Sequence, residues 1–128
     1  MILKELSEAV GVSGKEEAVR KVILSAIKDH TQDIRIDPMG SVTALKRGTS
    51  SQPLRVMIAA HMDEVGFIVR GIDGDGLIRF SAVGGVDDRI LPALRVKIGE
   101  IPGVIVWAPI HQNREQTVVK LSSLRIDI

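Results

Sequence analysis

Between Arg55 and Phe67 the chain reads RVMIAAHMDEVGF, and this stretch limits the possible folds more than its neighbours do. Val56-Met57-Ile58-Ala59-Ala60 is too short for a helix and is bounded by Pro53 and Gly66. Its unbroken apolarity is that of a strand buried on both faces, as in the sheet of an α/β protein. His61 would then stand where the strand leaves the core, with Asp63 and Glu64 directly behind it.

The patterns on the two sides differ. Ile2, Leu3, Leu6, Ala9 and Val10 keep close to a helical stripe that stops at Gly11. Ser13-Gly14-Lys15-Glu16 has the S-x-x-E form of a capping box, which predicts a second helix from Gly14 to Asp29. That helix would bury Ala18, Val19, Val22, Ile23, Ala26 and Ile27. From Asp33 the period becomes two, and Pro38-Met39-Gly40 supplies a turn between strands at Ile34–Ile36 and Val42–Leu45. Beyond His61, short strands are expected at Gly66–Ile72, Leu77–Ala82, Leu94–Ile98, Gly103–Trp107 and Leu124–Ile128. Close spacing with Gly and Pro between them suits a small antiparallel barrel or sandwich. We therefore expect an α/β part over residues 1–66 and a β-rich part over 67–128. The apolar strand character of LSSLRIDI at the end raises the expectation that partners of that strand lie outside this chain.

Composition narrows the function classes. With 45% hydrophobic and 26% charged residues, the 128-residue chain has a globular rather than a disordered balance. Seventeen Lys and Arg against sixteen Asp and Glu leave a formal charge of +1, without the basic run that tracks a phosphate backbone, so nucleic acid is not an expected partner. There is no cysteine, which removes disulfide and thiolate-metal readings and suits a reducing cytoplasm. MILKELSEAVGVSGKEE places Lys4, Glu5 and Glu8 where a secretory signal needs an apolar core, and no apolar run is long enough to span a bilayer. The expectation is a soluble cytoplasmic protein without a membrane partner.

His61 and Asp63, two residues apart at a strand end, can serve a divalent metal, the imidazole ligating and the carboxylate orienting it. A hydrolytic two-metal site needs further ligands, and on spacing alone a hydrogen-bonded surface histidine remains the alternative.

AAHMDEVGF at Ala59–Phe67, preceded by GVSGKEEAVR at Gly11–Arg20 and DPMG at Asp37–Gly40, then followed by GLIRFSAVGG and IPGVI, resembles the M42 family of metallo-aminopeptidases. The resemblance runs in order over nearly the whole chain. It implies an aminopeptidase-type α/β catalytic domain interrupted by a β-barrel-like insertion that mediates homo-oligomeric assembly. It further implies two divalent ions (zinc, cobalt or manganese), peptide substrates, His61 as a metal ligand and Asp63 as the supporting catalytic carboxylate. In the family the bridging aspartate, the paired glutamates and the other ligands follow the insertion, so this chain is expected to be an N-terminal portion, inactive alone.

Other candidates are weaker. Asp87-Asp88-Arg89 is expected to be a solvated turn, His111 a structural position, His30 a helix-end cation, and Asp73-Gly74-Asp75-Gly76 hairpin chemistry. Glu64 stands open between a structural and a functional role, and Ser41 replaces the asparagine common in the family. Two alternatives to a peptidase are a non-catalytic assembly module and a glucanase-like hydrolase. The second needs opposed carboxylates and sugar-stacking aromatics, and the chain has only Phe67, Phe80 and Trp107.

Overall fold

The computed structural model describes residues 1–108 and 119–128, so the expectation for His111 lies outside the described residues. The chain divides into two compact units, Met1–Glu64 and Val65–Ile128.

In the first unit, α1 (Ile2–Glu8) and α2 (Glu17–Ile27) precede an antiparallel hairpin of β1 (Asp33–Ile36) and β2 (Val42–Leu45). The hairpin register pairs Asp33 with Leu45 and Ile36 with Val42. Its turn is closed by Asp37, whose backbone amide donates to the Ser41 carbonyl at 3.1 Å while its carboxylate accepts from the Ser41 amide at 2.9 Å. Gly40 holds φ at +91°, a conformation open to glycine, and its carbonyl accepts from the Arg20 guanidinium at 2.5 Å. Arg20 thereby ties α2 to the hairpin turn.

The second helix starts three residues later than the capping box suggests, and Ser13 does not cap it. Val12 to Lys15 instead form a turn closed by the Lys15 amide on the Val12 carbonyl at 2.7 Å, with Gly14 at φ +84°. A positive φ at the third turn position is the requirement of a type II turn, and Ser-Gly meets it as readily as it opens a capping box. Neither bond of the box forms, since the Glu16 carboxylate accepts from the Gly14 amide at 2.5 Å and not from that of Ser13. On α2, Val19 is buried and Val22, Ile23, Ala26 and Ile27 are half-buried, whereas Ala18 is exposed.

The expected buried strand at Val56–Ala60 is a correction. Residues 53–63 pair with no strand, and Met57 and Ile58 are 89% and 93% exposed. A strand exists only through a neighbour's ladder of hydrogen bonds. Among the described residues β1 and β2 pair with each other alone, so apolarity here has no ladder to join.

The second unit is a five-stranded antiparallel sheet of β3 (Gly66–Ile72), β4 (Ile78–Val83), β5 (Arg95–Ile98), β6 (Ile101–Val106) and β7 (Arg125–Asp127), in the order β3-β4-β7-β6-β5. Its core is Ile78, Phe80, Leu91, Ile105, Leu124 and Ile126, with Phe67, Val96 and Trp107 packed around it. Phe67 and Phe80 meet edge to face with centroids 4.9 Å apart. The β3–β4 turn is the expected hairpin chemistry, and Asp73 does more there than shape the turn. Its carboxylate accepts from Arg79 Nε at 2.8 Å and from Arg125 Nε at 2.5 Å, linking the hairpin to β7. Asp87 and Asp88 are structural as well: Asp87 caps a short 3-10 turn through the Arg89 amide, and Asp88 accepts from the Leu121 amide at 2.9 Å.

Candidate functional site

The candidate site is assembled where the loop between α1 and α2 lies against residues 62–64. Gly11 makes the approach possible, since a Cβ there would stand 2.5 Å from Val19 Cγ2 and 3.3 Å from the Met62 carbonyl. The Glu64 amide donates to the Gly11 carbonyl at 2.8 Å, and the Gly11 amide donates back to Glu64 Oε1 at 3.2 Å. This pairing accompanies a parallel bridge between Val12 and Glu64 and gives the Glu64 carboxylate a structural contact. His30 stands outside the site; its amide closes the end of α2 on the Ile27 carbonyl at 2.9 Å.

Asp63 and His61 are brought together directly. His61 Nδ1 lies 2.9 Å from the Asp63 backbone carbonyl and 3.3 Å from Asp63 Oδ1. A carbonyl only accepts, so this contact needs a proton on Nδ1, and in the neutral ring that tautomer leaves the lone pair on Nε2. The His61 side chain is 85% exposed, and Nε2 has no hydrogen-bond partner among the described residues. An imidazole fixed through Nδ1–H with its other nitrogen bare is the arrangement a metal-ligating histidine requires.

The other carboxylate oxygen of Asp63 accepts from the Ser13 hydroxyl at 2.6 Å. That bond, ahead of the backbone bond and the nearby imidazole, holds the Asp63 carboxyl below the usual carboxylate range. Sequence reasoning missed Ser13, reading its hydroxyl into a helix cap. The signal that could have found it is the Ser-Gly pair, whose turn chemistry frees the hydroxyl for a distant acceptor.

The group fits a divalent cation in kind, one imidazole backed by a carbonyl and a carboxylate. Among the described residues, no three His, Cys, Asp or Glu side chains converge to hold a metal ion. No helix among them is long and apolar enough to cross a membrane.

The sequence model of the M42 glutamyl aminopeptidase family matches residues 40–128. A lysyl aminopeptidase of Pyrococcus furiosus is 36% identical over 119 residues, which cover 89% of this chain and 34% of that protein. Among solved structures, an endoglucanase of Thermotoga maritima is similar with a TM-score of 0.82 at 43% identity, over 98% of this chain and 37% of that one. The TET1 peptidase of Pyrococcus horikoshii, described as able to assemble into a tetrahedron or a large octahedral shell, gives a TM-score of 0.82 at 35% identity, over 99% of this chain and 39% of that one. The chain thus spans less than two fifths of the length of each of these three proteins.

Proposed function

Because the chain belongs to the M42 glutamyl aminopeptidase family, we propose that it contributes His61 and Asp63 to the centre of a metal-dependent aminopeptidase that removes N-terminal residues from peptides in the cytoplasm. The observation that carries this reading is the 2.9 Å contact of His61 Nδ1 with the Asp63 carbonyl, which turns Nδ1 inward and leaves Nε2 facing outward.

His61 would ligate through Nε2, and Asp63 would keep that ring in one tautomer and one orientation. When bound, a pair of divalent ions such as zinc, cobalt or manganese polarises a scissile carbonyl and activates water. The remaining ligands of such a pair come, on this reading, from beyond the described residues. Residues 1–66 then belong to the α/β catalytic domain and residues 67–128 to a β-rich insertion through which copies assemble. The TET1 likeness supports assembly as a homo-oligomer.

A glucanase reading draws on the Thermotoga maritima likeness. It is disfavoured by the aromatic side chains, because Phe67 and Phe80 meet each other against the core of the second unit and Trp107 packs on that same core.

The test is zinc, cobalt and manganese binding by the chain and by His61→Ala, alongside hydrolysis of aminoacyl arylamides and of a soluble β-glucan. The expected result is metal uptake that His61→Ala abolishes, with any metal-dependent turnover confined to the arylamides. Equal uptake by both proteins would sink the ligand assignment. Metal-dependent glucan cleavage would replace the peptidase reading.

A further inference from the structure

We propose that Ser13 is a positioning residue of the site, locking the Asp63 carboxylate so that His61 is held in the Nδ1–H tautomer; this rests on the reading of His61 as a metal ligand. The Ser13 hydroxyl sits two positions after Gly11, in the turn that the Val12–Glu64 bridge holds against residues 62–64. It had a local use available as the cap of α2, yet it donates to Asp63 Oδ2 at 2.6 Å, 50 positions away.

The physical need for that bond lies in the softness of an aspartate's terminal torsion, which has broad rather than discrete minima. A carboxylate facing an imidazole without a second tie can turn until neither oxygen lines up with Nδ1. Ser13 holds one oxygen and leaves the other 3.3 Å from His61 Nδ1. With that torsion set, Nδ1–H has both the Asp63 carbonyl and a carboxylate oxygen as acceptors. In the neutral ring that tautomer puts the lone pair on Nε2, the atom that can bind a cation. Partners of this second kind, behind a ligating histidine, typically change metal affinity by about 10- to 100-fold when removed.

The test records the ¹⁵N imidazole resonances of His61, with and without Zn²⁺, in the 128-residue chain and in Ser13→Ala, Ser13→Thr, Glu64→Ala and His61→Ala. Ser13→Ala is expected to shift His61 toward the Nε2–H tautomer and to weaken Zn²⁺ binding by about tenfold. Ser13→Thr keeps the hydroxyl and should restore both readouts. Glu64→Ala breaks the neighbouring Gly11 bond without touching the carboxylate, so it should leave the tautomer unchanged. An unchanged tautomer in Ser13→Ala, or an equal shift in Glu64→Ala, overturns the proposal while loss of Zn²⁺ binding in His61→Ala keeps the ligand reading intact. Undiminished Zn²⁺ binding in His61→Ala overturns the ligand reading and Ser13's role at a metal centre with it, whatever the tautomer does.

Discussion

The two units solve the problem of burial differently. The C-terminal unit closes around six core side chains, with Leu91 and Ile105 at 0% exposure. In the N-terminal unit Val19 is the one buried apolar side chain among the described residues, while Leu54, Val56, Met57 and Ile58 stand in solvent. Yet the residues proposed to carry the chemistry, His61 and Asp63, belong to the N-terminal unit. A polar contact reaching across the sequence, Ser13 to Asp63, ties the site together where a packed core does not. The contrast separates what makes a chain fold from what makes it act.

The largest effect that would sharpen this contrast is expected at Ile105. Truncating it to alanine removes a fully buried side chain from the strand between β5 and β7, and should cost about 3 kcal/mol. Urea unfolding followed by the fluorescence of Trp107, which packs against that core, reads the loss directly. Met57→Ala, at 89% exposure, should change stability by less than about 0.5 kcal/mol. Comparable losses in the two variants would break the comparison, because they would place Met57 in a core.

How far the sequence spoke depended on whether each signal was local. The hairpins were legible because Pro38-Met39-Gly40 and Asp73-Gly74-Asp75-Gly76 carry their own turn chemistry and alternation sets the register around them. The His61-x-Asp63 spacing was legible for the same reason, since both residues act on one stretch of backbone. Val56–Ala60 misled because apolarity reports a tendency to be buried and says nothing of which strand lies alongside. Ser13 misled because S-x-x-E describes a cap and a turn equally well, and the choice was made by Asp63, 50 positions away.

An intermediate effect is expected at Asp73. Its carboxylate joins Arg79 and Arg125 at partly buried positions, so Asp73→Ala breaks two charge-assisted hydrogen bonds and should cost about 1 kcal/mol after allowance for solvent screening. The same urea experiment checks it. Loss of Trp107 packing greater than that of Ile105→Ala would mean that the polar link, and not the apolar core, organises the C-terminal unit. The core-against-contact distinction would then fail within the unit that best exemplifies it.

The smallest effect is one of pH, and each unit supplies a carboxylate for it. In the C-terminal unit the Arg89 side chain, bonded to both oxygens of Asp87, lowers that carboxyl from 3.8 to about 2. In the N-terminal unit the Ser13 hydroxyl lowers Asp63 in the same direction. A carboxyl whose folded pKa is depressed contributes stability that is present above its unfolded value and is lost as pH falls through the folded one. Asp87 should therefore hold its pairing at pH 4 and surrender it as the pH approaches 2, a window its exposure keeps energetically modest. Carboxyl ¹³C resonances followed from pH 5 downward give both midpoints. Because the first cause at Asp87 is the full charge of Arg89 and the first cause at Asp63 is the neutral Ser13 hydroxyl, added salt should raise the Asp87 midpoint by more than that of Asp63. A salt response of equal size at both would mean that charge, and not the Ser13 hydroxyl, is what chiefly holds the Asp63 carboxyl down.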